Sequence, residues 1–200
     1  MKITKKNLSI QLSKLRQFNK PKNCLEQYAT DPYVASEVLW SAMMDGFVID
    51  RNILDAGAGY GVFSFGSLYL GCKFVEAVEI DEDQKEVLEF NLKDFTNFRI
   101  TIGNISSIRE RFDTVFCNPP FGAVKRDADI PFLNSIFNSG ERVYLLHNSI
   151  NEKFLDQFIG EKGKIIYKRK LSMEIPRMYA HHMEDKKYLD LILYSVETKR

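Results

Sequence analysis

Two short stretches carry residue types that do chemistry at short range. "DAGAGYG", residues 55 to 61, sets an acid before three glycines at alternate positions, behind one apolar run and ahead of another. "NPPFG", residues 118 to 122, stands directly behind the apolar run "FDTVF". Glycines at alternate positions let a chain turn tightly and approach a ligand without a Cβ in the way. Proline donates nothing to a sheet ladder, so a strand must stop at Asn118 with a stiffened end.

The glycine turn admits two classes of ligand. Dinucleotide folds use G-x-G-x-x-G, with a pyrophosphate on the helix N-terminus. Here the spacing is G-x-G-x-G, and Asp55 precedes Gly57 and Gly59. A carboxylate beside the turn repels a pyrophosphate and suits a cation. S-adenosylmethionine, with its sulfonium and ammonium, satisfies that charge logic. Glu79 closes the run "VEAVE" 24 residues after Asp55. An acid there can accept from both ribose hydroxyls. Alternatively Glu79 and Asp81 merely open the next helix, whose positive end favours acids. The strand-end position assigns Glu79 to the ribose and Asp81 to the helix.

The second stretch supplies acceptors. The side-chain oxygen of Asn118 and the carbonyl of Pro119 can each take a hydrogen bond. Pro120 stiffens the turn, and Phe121 offers a face for a flat ring. Together they suit an exocyclic amine. Two N–H groups drawn to two acceptors release the nitrogen lone pair from its ring, ready for in-line attack on a sulfonium methyl. No strong base is required, only positioning and electrostatics. The plainer alternative is a proline-stopped strand with Phe121 in the core.

These residues need elements to hold them. Residues 3 to 18 and 33 to 44 read as helices, the second opened by Asp31 as N-cap and Pro32 at the first helical position. Thereafter strand and helix alternate: "RNILDAG", "KFVEAVEID", "FRITIGN", "FDTVFCNPP", "RVYLLHNS", "KIIYKRKLSMEI" and "YLDLILYSV" read as strands. Such alternation gives an α/β fold, a Rossmann-like seven-stranded sheet that is mostly parallel, with helices on both faces. The last two strands lack an intervening helix and are expected as antiparallel neighbours at one edge. Residues 1 to 200 are expected to form a single domain.

Composition excludes little but narrows the rest. With 44% hydrophobic and 28% charged residues the chain is ordinary for a globular protein. It has no apolar run long enough to span a bilayer and no secretory leader, so a cytoplasmic location is expected. Cys24, Cys72 and Cys117 fit no zinc spacing and read as reduced thiols. Residues 1 to 22 hold seven basic side chains and no acid, and "KGKIIYKRK" forms a second basic cluster. Such asymmetry points to a polyanion or to solvated faces. On a strand the side chains of "YKRK" alternate, so they cannot all face one partner. His147 ends a strand, and substrate contact or packing are equally compatible. His181 and His182 are adjacent, so they diverge, and no metal site is expected.

The pairing of "DAGAGYG" with "NPPF" resembles class I S-adenosylmethionine-dependent amino-methyltransferases. With "LEQYAT" (residues 25 to 30), "YLLHNS" and "IPRMYAHHMEDKKYLDLILYSV", the chain is similar to the small ribosomal-RNA adenine-N6 methyltransferases of archaea and eukaryotes. That resemblance implies a methyl transfer from S-adenosylmethionine to adenine N6 in RNA. It implies Gln27, Thr30, Asp55, Gly57, Gly59, Tyr60, Val62, Glu79, Asn104 and Ile105 around the cofactor, with the N-terminal helices (residues 1 to 45) joining that pocket. It implies Asn118, Pro119, Pro120 and Phe121 around the target amine. It also implies a small zinc-binding activator subunit as a partner. Glu79 and Asn104 stand where the family often has Asp, and Asn104 retains an acceptor oxygen. Two other functions remain: methylation of a glutamine amide in a translation factor, and a non-catalytic RNA-binding scaffold.

Overall fold

The computed structural model describes residues 3–18, 22, 29–119, 130–175 and 187–199. Helices α1 (Lys5–Leu12) and α2 (Pro32–Met44) lead into the sheet. Strands β1 (Asn52–Ala56), β2 (Phe74–Glu79), β3 (Phe98–Ile102), β4 (Phe112–Cys117), β5 (Gly140–Asn148), β6 (Gly163–Ile175) and β7 (Lys187–Thr198) build it. Helices α3 (Val62–Tyr69), α4 (Lys85–Leu92), α5 (Ile130–Ser139) and α6 (Glu152–Lys162) connect them.

The strand order is β3-β2-β1-β4-β5-β7-β6. β1 to β5 are parallel neighbours, and β7 runs antiparallel to both β5 and β6. The final pair therefore lies at one edge as the sequence implies, with β7 the inner member. The chain grows outward from β1 to β3, then returns to lay β4 on the other side of β1. This reversal makes a crevice at the carboxyl ends of β1 and β4, where open parallel sheets bind ligands. The register pairs Asp55 with Phe116 and Ala56 with Cys117. Gly57 and Asn118 thus leave the sheet level with each other.

Alternation along the strands decides which residues share a face. Ile53, Val75, Ala77 and Phe116 pack into a core with α1, α2, α3 and α4. Leu54, Val78, Val115 and Cys117 face the opposite core with α5 and α6. By the same parity Asp55, Glu79 and Asn118 all belong to the α1–α4 face.

Local chemistry explains the ends of the N-terminal helices. Asp31 caps α2, its Oδ1 accepting from Tyr33 and Val34 N–H at 2.9 and 3.1 Å. The α1 pattern runs to Phe18 in sequence, but the helix ends at Leu12. Lys14 and Leu15 close tighter bonds to Gln11 and Leu12, and the Arg16 backbone is drawn aside to Asn91 on α4. Leu15 and Phe18 still reach the core, from an irregular segment. Among the described residues no helix is long and apolar enough to cross a membrane.

Candidate functional site

The glycine turn is held from below by the end of β2. Gly57 and Ala58 both donate to the Val78 carbonyl at 2.9 Å. Gly57, Gly59 and Gly61 have φ of 73°, 56° and 87°, a region that side chains with a Cβ rarely enter. At Gly59 there is a second constraint: an added Cβ would stand 2.9 Å from the Phe18 ring. Phe18 also meets Tyr60 edge-on, centroids 5.5 Å apart. Asn91 completes the clamp, donating to the Tyr60 carbonyl at 2.8 Å.

Two buried acids flank this turn. Asp55 is 1% exposed, and its Oδ2 accepts from Ser64 N and Ser64 Oγ at 2.8 and 2.6 Å. Burial pushes its carboxyl up to about 7; the Ser64 bonds pull it down and the Glu79 charge pushes it further up. Glu79 sits at the end of β2, with Oε2 accepting from Gly59 N at 2.7 Å and Oε1 from Asp81 N at 2.9 Å. Burial raises its carboxyl above the ordinary value, against the bonds from Asp81 and Gly59. Both oxygens of Glu79 thus brace backbone. Asp81 opens a 3-10 turn, accepting from Asp83 N at 3.1 Å, and bonds Lys22 at 2.6 Å.

The stretch at the end of β4 meets this turn through one residue. Asn118 Nδ2 donates to Thr30 Oγ1 at 2.9 Å, and Tyr60 donates its hydroxyl to the Thr30 carbonyl at 2.7 Å. Burial, followed by the charges of Asp31 and Asp55, raises the Tyr60 phenol, so its hydroxyl keeps its proton and donates. Thr30, Tyr60 and Asn118, far apart in sequence, are brought together. Pro119 is buried at the strand end. Gln27, Pro120 and Phe121 lie outside the described residues, as do His181 and His182.

The remaining sequence candidates divide. Val62 opens α3 with its side chain buried. Ile105 is buried in the 3-10 turn after β3, beside Glu79 through the bond from Gly103 N to the Glu79 carbonyl at 2.8 Å. Asn104 is exposed and caps that turn, its oxygen accepting from Ser106 N at 2.9 Å. His147 is fully buried within β5. Among the described residues, no group of three His, Cys, Asp or Glu side chains is arranged to hold a metal.

Sequence reasoning passed over Ser64, Asn91, Phe18 and Ile80. Ile80 is 56% exposed next to Glu79, an apolar side chain directly after β2. Among the described residues, some members of the basic clusters pair with acids: Lys168 with Glu152 and Asp156, Arg169 with Glu37, Arg16 with Glu86. Lys168 and Arg169 take opposite faces of β6, as strand alternation requires.

The family described as Methyltransferase small domain matches residues 29–145. MJ0284 of Methanocaldococcus jannaschii, a protein with no assigned activity, is 30% identical over 98% of this chain and 94% of its own length. METTL5 of Danio rerio, an rRNA N(6)-adenosine-methyltransferase, is 29% identical over 93% of this chain and 94% of its own. The solved structure of PH1948 from Pyrococcus horikoshii, a protein assigned as an RNA methyltransferase, superposes over all of both chains with a TM-score of 0.92 at 36% identity.

Proposed function

The chain belongs to the methyltransferase small domain family, with S-adenosylmethionine as its cofactor, and on that premise we propose that it methylates adenine N6 in RNA, small-subunit ribosomal RNA in the first instance. The observation that carries this reading is the meeting of the glycine turn and Asn118 at the crevice between β1 and β4, joined by Thr30.

The residues fit such a cofactor. Two buried carboxylates, Asp55 and Glu79, surround a turn whose glycines leave its backbone open. That charge disfavours a pyrophosphate and favours a cation. In this reading Asp55 and the Gly57–Gly59 backbone hold the amino-acid end, Glu79 takes the ribose, and Ile80 and Ile105 offer apolar faces to the base. Gln27 and Asn104 complete the pocket, and residues 1 to 45 contribute to it through Phe18 and Thr30. Bound S-adenosylmethionine supplies an electrophilic methyl on sulfur.

The target amine is the work of the protein. Asn118 Oδ1 and the Pro119 carbonyl accept its two N–H groups, and Phe121 stacks on the ring. The base must leave its stack to reach them. METTL5, similar along nearly the whole chain, is named for adenosine N6 in rRNA, which supports the choice of amine and of RNA. A small zinc-binding subunit is proposed as an activating partner on the family resemblance.

The test is transfer of label from S-adenosylmethionine into separate pools of ribosomal RNA, DNA and release factor, with and without such a subunit. Label in RNA recovered as N6-methyladenosine, and lost in Asn118→Ala, is the expected result. Label confined to protein would overturn the substrate, and no label in any pool would overturn the activity.

A further inference from the structure

A side-chain amide has a donor end and an acceptor end of nearly equal shape. The torsion that exchanges them is broad and roughly two-fold. Turned one way, Asn118 offers oxygen to an incoming amine. Turned the other way, it sets N–H against N–H, and the lone pair is never drawn out.

Thr30 stands against one end of this amide. It is 5% exposed, and its Oγ1 accepts from Asn118 Nδ2 at 2.9 Å across 88 residues of sequence. Thr30 is itself pinned on both sides. Its carbonyl takes the Tyr60 hydroxyl at 2.7 Å. The next residue, Asp31, donates its N–H to the Met173 sulfur at 3.3 Å and caps α2. The hydroxyl thus accepts at one end of the amide, and the amide oxygen lies at the other.

Resting on the function stated above, we propose that Thr30 is a positioning residue for the methyl-transfer step: its hydroxyl fixes the sense of the Asn118 amide, while its carbonyl ties that amide to the cofactor turn through Tyr60. The family resemblance places Thr30 at the cofactor; this geometry gives its hydroxyl a duty toward the target amine. The link also means that the acceptor is aimed before substrate arrives, which is how electrostatic stabilisation is made cheap at the moment of reaction.

The experiment uses the full chain. Thr30→Val keeps shape and carbonyl and removes the hydroxyl; Thr30→Ser restores it. Turnover on ribosomal RNA, cofactor affinity by calorimetry, and the side-chain amide signals of Asn118 in a 15N–1H spectrum are measured for each, the signals being assigned by their loss in Asn118→Ala. Thr30→Val is expected to lower kcat on the order of 10-fold with cofactor Kd within about threefold. Its Asn118 amide signals should move, and Thr30→Ser should return both signal and kcat towards wild type. An unmoved amide signal with full turnover overturns the proposal. So does a loss of cofactor affinity that accounts for the whole loss of turnover. If the wild-type protein labels no RNA, the proposed function fails, while the Asn118 signal still decides whether Thr30 holds the amide.

Discussion

The side chain of Asn91 pairs with the backbone of Arg16 in both directions. Its Oδ1 accepts from Arg16 N at 3.0 Å, and its Nδ2 donates to Arg16 O at 2.9 Å. The remaining N–H goes to the Tyr60 carbonyl at 2.8 Å. One buried amide therefore joins the irregular segment after α1 to the glycine turn, and places Phe18 over Gly59.

Asn91→Leu should cost about 1–3 kcal/mol, because it strands backbone groups of Arg16 and Tyr60 in a partly buried site. Asn91→Asp should be no better, since a carboxylate faces two carbonyls it cannot donate to. Denaturant unfolding gives the stability. Calorimetry should show weaker cofactor binding in both variants, as the turn loses its clamp.

Gly59→Ala combines two separable penalties. The backbone at φ 56° is strained for alanine, and the new Cβ meets Phe18 at 2.9 Å. Left-handed backbone costs roughly 1–2 kcal/mol. Adding Phe18→Ala should recover the steric part and leave the backbone part. Stability in the double-mutant cycle should therefore be non-additive, with a coupling of about 0.5–3 kcal/mol. Additivity would show that Phe18 does not confine Gly59.

Asp55 sets a pH dependence with a definite sign. Its carboxyl, ordinarily near 3.8, is raised to about 7 in the fold. Between those values the folded protein holds a proton that the unfolded chain releases, so this group's contribution to stability falls as pH rises through the window. Melting temperatures of the cofactor-free protein, compared with Asp55→Asn from pH 4 to 7, should show that contribution. A cationic ligand prefers the ionised acid, so cofactor affinity should rise with pH through about 7. Ser64→Ala removes the hydroxyl bond that stabilises the ionised form, leaves the bond from the backbone N–H in place, and should move the midpoint upward.

Glu79→Gln tests the brace. Both carboxylate oxygens accept backbone N–H groups, from Gly59 and Asp81. Glutamine must turn its NH2 towards one of these donors. Cofactor affinity should fall at least about 10-fold, one charge-assisted bond being worth about 1.5–3 kcal/mol. Unchanged affinity would remove Glu79 from the cofactor site.

Much of this was legible beforehand. Asp55, Gly57, Gly59 and Asn118 stand out because local spacing marks turns and strand ends. Asp31 and Pro32 announced α2 for the same reason. Two omissions left signals that were available: Ser64 is a hydroxyl inside the apolar "VFSFGSLY", and Asn91 sits on the stripe of Val87, Leu88 and Leu92. A polar residue on a buried stripe must find partners, but nothing in the sequence says which. The α1 boundary was misjudged because periodicity continued to Phe18 while the backbone of Arg16 was captured from 75 residues away.

By itself the sequence determined the alternation of strands and helices, the two motifs, and the sign of the charge beside the glycine turn. These depend on near neighbours and on the periods of helix and strand. The tertiary structure alone decided that Gly57 and Asn118 leave the sheet level with each other, that Glu79 braces Gly59, and that Thr30 holds the Asn118 amide. Those facts follow from the register of β1 against β4 and from how α2 and α4 pack on the sheet. Contacts between residues tens of positions apart leave no spacing in the chain; they exist only once the whole core has closed.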